Sequence, residues 1–167
     1  MQNNSNSSIN RETFSVLVEN KFGVLTRVAG LFSGRGYNID SLTVSPTQNQ
    51  AYSRMTIVTH GDEAILEQIE KQLNKLIDVV KILRLHSDKF VAREMLLLKL
   101  RINDDNVESL LKFTQKYHAE VLEIKSNALV LQIISTTEDL DEYIKALKQF
   151  DIIEMARTGS VALTSLH

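Results

Sequence analysis

Five apolar residues, Val24, Leu25, Val28, Leu31 and Phe32, fall at i, i+1, i+4, i+7 and i+8. That spacing makes one stripe along a helix of about three turns. Residues 13–18 before it are strand-like, and Gly34 and Gly36 after it end the helix and turn the chain. Tyr37 to Ser45 then reads as a second strand closed by Pro46, with a turn over 47–50. Over 52–60, Ser53, Met55, Ile57 and Thr59 alternate with Tyr52, Arg54, Thr56 and Val58, the period of a third strand. Asp62 is placed to cap a helix with Ile65, Leu66, Ile69 and Leu73 on its inner face. Ile77 to Leu85 is a fourth strand, so the order is βαββαβ.

The same order recurs more weakly downstream. Residues 86–91 show no period and read as a connection. Leu96, Leu98, Leu100 and Ile102 alternate with Leu97, Lys99 and Arg101, as in a half-buried strand. A helix is expected over 104–117 with Val107, Leu110, Leu111 and Tyr117 inward, then strands over 119–125 and 128–135 joined at Ser126-Asn127. A helix capped by Thr137 follows, with Glu138, Asp139 and Asp141 in its first turn, where acids complement the dipole. Its inner face carries Leu140, Tyr143, Ile144 and Leu147, and residues 152–163 supply a last strand. Each half can lay two helices on one face of a four-stranded antiparallel sheet. The fold class is therefore α+β, two ferredoxin-like βαββαβ sandwiches: a disordered tail over 1–11, a first domain over 12–86 and a second over 87–167.

Composition removes several function classes. The net charge is −2 and neither half is strongly polarised, so no broad basic field exists to draw nucleic acid or an anionic membrane. There is no cysteine, hence no disulfide framework, thiolate metal site or thiol nucleophile. No apolar run approaches the ~20 residues of a membrane span. The polar Asn/Ser start has neither a basic nor an apolar signal-peptide region, and a cytoplasmic location is expected.

Candidate chemistry gathers around the first helix. Gly23 stands just before the apolar stripe, where the first backbone N–H groups lack intrahelical partners. A glycine there admits close approach, and free amides at the positive dipole end favour a carboxylate. Asn20 before the helix and Asn38 after it can donate to a carboxylate or accept from an ammonium group. On spacing alone, equally, these could be ordinary helix-start and turn residues.

The stretch Glu19-Asn20-Lys21-x-Gly23-Val24-Leu25-x-Arg27-Val28-x-Gly30-Leu31-Phe32-x-x-Arg35-Gly36-Tyr37-Asn38-Ile39-x-Ser41-Leu42-Thr43-Val44 closely resembles the regulatory (small) subunits of acetohydroxyacid synthase, also called acetolactate synthase, which begin with an ACT domain. The resemblance continues through 53–57 and 66–76, loosens past Arg93, and returns at Glu154-Met155-Ala156-Arg157-Thr158-Gly159. Family members often carry proline where this chain has Phe22, which predicts a less rigid loop here.

The resemblance implies a non-catalytic subunit that activates a larger catalytic subunit and confers feedback inhibition by valine, leucine or isoleucine. It implies that thiamine diphosphate, magnesium and FAD sit on that catalytic partner and that this chain carries no cofactor. It also implies an ACT homodimer with the effector between subunits, its carboxylate on amides near Gly23, Val24 and Leu25. Asn20 and Asn38 would orient polar groups, and Leu25 and Ile39 would contact the effector side chain.

Other chemistry is not supported. His60, His86, His118 and His167 have no second ligand at metal spacing, and no nucleophile elbow or P-loop is present. Gly34-x-Gly36 lacks the third glycine of a dinucleotide fingerprint, Ile39 standing in its place. The acids over 138–142 suit a helix cap better than an acid/base pair. The alternatives are a free-standing ACT sensor controlling transcription or another enzyme, an RNA-binding module with the same strand order, and a small enzyme. They would need, respectively, a DNA-reading helix, a basic sheet face with aromatics, and a catalytic constellation.

Overall fold

The computed structural model describes residues 9–85 and 89–166, and these described residues form thirteen elements. The first group is β1 (Asn10–Glu19), α1 (Val24–Arg35), β2 (Ser41–Pro46), β3 (Tyr52–Gly61), α2 (Glu63–Leu73) and β4 (Val79–Leu85). The second is β5 (Phe90–Arg101), α3 (Val107–Lys116), β6 (Glu120–Lys125), β7 (Ala128–Ser135), α4 (Thr137–Leu147), β8 (Ile152–Arg157) and β9 (Val161–Thr164). The described residues fall into two compact units. One reaches to Val91 and takes in the chain from Ser160 on; the other spans Ala92–Gly159.

The first unit builds an antiparallel sheet of order β2-β3-β1-β4. Period-2 alternation turns Phe14, Val16, Val18, Met55 and Ile57 to one face. There they meet Val24, Val28 and Phe32 of α1 and Leu66, Ile69 and Leu73 of α2 in one closed core. The second unit repeats the plan with order β6-β7-β5-β8. Its core joins Leu96, Leu98 and Leu100 of β5 and Leu129, Leu131 and Ile133 of β7 to Leu110, Phe113, Leu140 and Leu147 of the helices. The α+β class and the doubled βαββαβ order are as read from the sequence.

Several details differ. The last strand expected over 152–163 is two strands, β8 and β9, broken at 158–160; β9 also pairs with β5, and the Ser165 N–H donates to the Lys89 carbonyl at 2.9 Å. The α3 face is carried by Leu110 and Phe113, because Leu111 points out at 51% exposure. Ile65 and Leu25 likewise lie at the edge of their stripes, 37% and 44% exposed, and Leu31 is half-buried. Ile77 is an exposed loop residue before β4. The α4 cap is Thr136, whose hydroxyl accepts from the Asp139 N–H at 3.2 Å, so Thr137 is the first helical residue. Asp62 caps α2 as expected, accepting from the Ile65 N–H at 2.8 Å. Asn10 and Arg11, assigned to the tail, belong to β1; residues 1–8, the middle of the expected connection (86–88), His86 and His167 lie outside the described residues.

Each unit also carries an arginine clamp. Arg84 of β4 donates its Nε–H to buried Glu12 of β1 at 2.6 Å and its terminal nitrogens to Glu63 at the start of α2. Arg157 of β8 donates to Glu94 of β5 at 2.7 Å, to Asp141 of α4 at 2.6 Å and to the Thr137 carbonyl at 3.2 Å. The bond to Glu63, with the Glu12 contact, raises the pKa of Arg84 against the opposing pull of burial. For Arg157, burial pulls the pKa down and is outweighed by the bonds to Asp141 and Glu94.

Candidate functional site

Gly23 is the N-cap of α1 and stands at φ 81°, ψ −6°. This left-handed geometry costs an L side chain free energy and costs glycine little. A β-carbon there would lie 3.1 Å from Arg27 Nη1. No side chain caps the helix and no acid stands in its first turn, so the positive dipole end is left to backbone amides. The Val24 N–H makes only a long 3.4 Å contact with the Lys21 carbonyl. Val24 itself is core, whereas Leu25 faces outward beside these amides. A carboxylate approaching Gly23 would meet N–H groups that no side chain caps.

Neighbouring turns hold this helix end in place. Arg27 Nε donates to Asp78 at 2.7 Å, and the Asp78 carbonyl accepts from the Glu19 N–H at 2.9 Å. Asn20 locks onto the turn before β3: its N–H bonds the Ala51 carbonyl at 2.8 Å and its Nδ2 the Gln50 carbonyl at 2.9 Å. Phe22, at the tip of the loop, is fully exposed. The Arg27–Asp78 tie spans 51 positions of the chain, and no short-range pattern signals it.

Asn38 and Ile39 lie elsewhere. Asn38 Nδ2 donates to Asp40 at 2.6 Å, and its carbonyl accepts from the Thr59 hydroxyl. His60 Nδ1 is 2.9 Å from the same Asp40 carboxylate, so this histidine has a carboxylate neighbour that sequence spacing did not show. Ile39 is partly buried against the core. The register fixes the distance between the two groups. Glu19 pairs with Tyr52 and Ser41 with Val58, six positions apart along β3. At a rise of about 3.3 Å per residue that is ~20 Å. One chain brings Asn20, Gly23, Val24 and Leu25 together, and Asn38 and Ile39 together, at opposite ends of the sheet.

Among the described residues no group of three His, Cys, Asp or Glu could hold a metal ion, and no helix is long and apolar enough to cross a membrane. Asp139, within the acidic run, accepts from the Ser135 hydroxyl at 2.6 Å, which holds its carboxyl below the usual range. His118 follows the end of α3 at φ 51°, a helix-terminating position.

Comparison with known proteins agrees with this architecture. Residues 14–81 match the model of the acetohydroxyacid synthase small subunit-like ACT domain, and residues 93–165 match that of the small subunit of acetolactate synthase. The acetolactate synthase small subunit of Buchnera aphidicola (from Schizaphis graminum) is 43% identical, over 92% of this chain and 98% of its own length. The isozyme 3 small subunit of Escherichia coli K12 is 41% identical, over 92% and 95%. The crystal structure of the acetolactate synthase small subunit from Thermotoga maritima superposes with a TM-score of 0.88 at 34% identity, covering 95% of this chain and 99% of that one. The chain belongs to the family of acetolactate synthase small subunits.

Proposed function

We propose that this chain binds the catalytic subunit of an acetolactate synthase in the cytoplasm, raises its activity, and makes it sensitive to a branched-chain amino acid, valine foremost. The catalytic partner carries the thiamine diphosphate, magnesium and FAD and condenses pyruvate with pyruvate or 2-oxobutyrate. Family membership supports the subunit role, and the candidate site supports the sensor role.

The carrying observation for the sensor is the ~20 Å that separates the Gly23 group from the Asn38 group within one chain. β2 is a sheet edge, and antiparallel two-fold pairing of two such edges sets residue 41 of one copy near residue 46 of the other. Pro46 pairs with Ser53, next to the turn that Asn20 grips. The pairing therefore carries Asn38 and Ile39 of one copy toward Asn20, Gly23 and Leu25 of its partner. Each effector then lies between two chains, its carboxylate on the α1 amides and its ammonium beside Asn38. Inhibition follows when the effector binds one assembly state better than the other.

Calorimetric titration with L-valine, against D-valine and L-alanine controls, tests this. Saturable L-valine binding near one per chain is expected. Absence of heat with valine, leucine and isoleucine, in the isolated chain and the holoenzyme alike, removes the sensor role.

A further inference from the structure

The helices of the first unit carry a groove that the effector site does not use. It has a volume of about 530 Å³ and runs between α1 and the end of α2, with Leu31 and Leu76 among its apolar lining. Gly30 and Gly34, one turn apart, form its α1 wall. A β-carbon at either glycine would meet nothing within 4 Å, and neither has a positive φ. Each glycine inside a helix is destabilising relative to alanine. The unit's own packing and backbone therefore give no reason for them, while a bare backbone ridge lets another chain approach closely.

The rim is cationic. Arg27 is neutralised by Asp78, but among the described residues Arg35 donates to the neutral amide of Gln72, at 2.9 Å. Neither Arg35 nor Lys75 is matched by a carboxylate among the described residues. From Arg27 to Arg35 the trough follows α1 for ~12 Å. Gly30, Gly34, Arg35 and Lys75 are all solvent-exposed, so a small molecule would leave much of its surface wet, unlike the usual enclosed ligand site. An extended or helical segment fits better.

We infer that this groove docks an acidic segment of the catalytic subunit, with a small or apolar residue against Gly30, Gly34 and Leu31 and carboxylates against Arg35 and Lys75. The inference rests on the subunit role proposed above. Pairing through the β2 edge leaves the groove free for that partner.

The test is titration of purified catalytic subunit with this chain, following activation and complex formation by sedimentation, with L-valine calorimetry on the same preparations. The double variant Arg35→Glu/Lys75→Glu, and separately Gly30→Leu, which fills open space, should each raise the half-activating concentration at least about tenfold. Valine binding should stay as in the wild type, and Lys75→Arg should activate normally. Salt should weaken the wild-type complex more than that of the double variant. Wild-type activation by both variants overturns the groove and leaves the subunit role standing. A wild-type chain that forms no complex overturns both. Loss of valine binding together with the complex assigns the groove to the effector site and overturns docking.

Discussion

At the scale of single residues, Gly23 and Asn38 carry the sensor hypothesis. Gly23→Asp places a carboxylate where the effector's own carboxylate would sit. Aspartate tolerates the left-handed conformation better than most residues, so the fold should survive at a cost of about 1–2 kcal/mol. The expected result is loss of valine inhibition with activation of the catalytic subunit retained; normal valine sensitivity would remove Gly23 from the site. Asn38→Ala removes an amide that bonds Asp40 and could meet an ammonium group. It should weaken valine binding by ~1–3 kcal/mol, measured by calorimetry. An unchanged affinity would leave Asn38 a turn residue only.

At the scale of elements, the two units repeat more than their strand order. In both, the first strand slips register against the fourth, at Leu17/Val18 with β4 and at Lys99/Leu100 with β8. In both, the fourth strand's arginine bridges the first strand to the second helix. The second clamp is the more buried at its acid, since Glu94 is 4% exposed and accepts from both Arg157 and Thr137. Arg157→Met would strand that carboxylate and should cost ~3–5 kcal/mol, read from chemical denaturation. Adding Glu94→Leu should restore most of the loss, because no buried charge then lacks a partner. A single-variant loss below about 1 kcal/mol would mean that water already screens the clamp.

At the scale of the whole molecule, β2 is the edge on which the proposed pairing depends. Val44, in the middle of that strand, is partly exposed. Val44→Asp would bring two like charges together near the two-fold axis, where directly opposed like charges destabilise strand pairing. Sedimentation should show the dimer dissociating at concentrations where the wild type stays paired, and valine binding should fall with it. Full valine binding by a monomeric Val44→Asp chain would exclude an effector site built from two copies.

The sequence by itself determined the doubled βαββαβ order, because alternation and the helical stripe are local and survive any tertiary arrangement. It also placed Gly23 at a helix start and Asp62 at a cap, since both roles follow from neighbours a few residues away. It set the α4 cap one residue late, at Thr137 in place of Thr136, and turned Leu111 and Ile65 inward, where one step of helix phase decides the outcome. Tertiary structure alone decided what crosses long separations. It tied Arg27 to Asp78, set Asp40 beside His60, and split the last strand into β8 and β9. It also held Asn38 apart from Gly23, because strand register, which no local pattern specifies, sets where the ends of each strand lie.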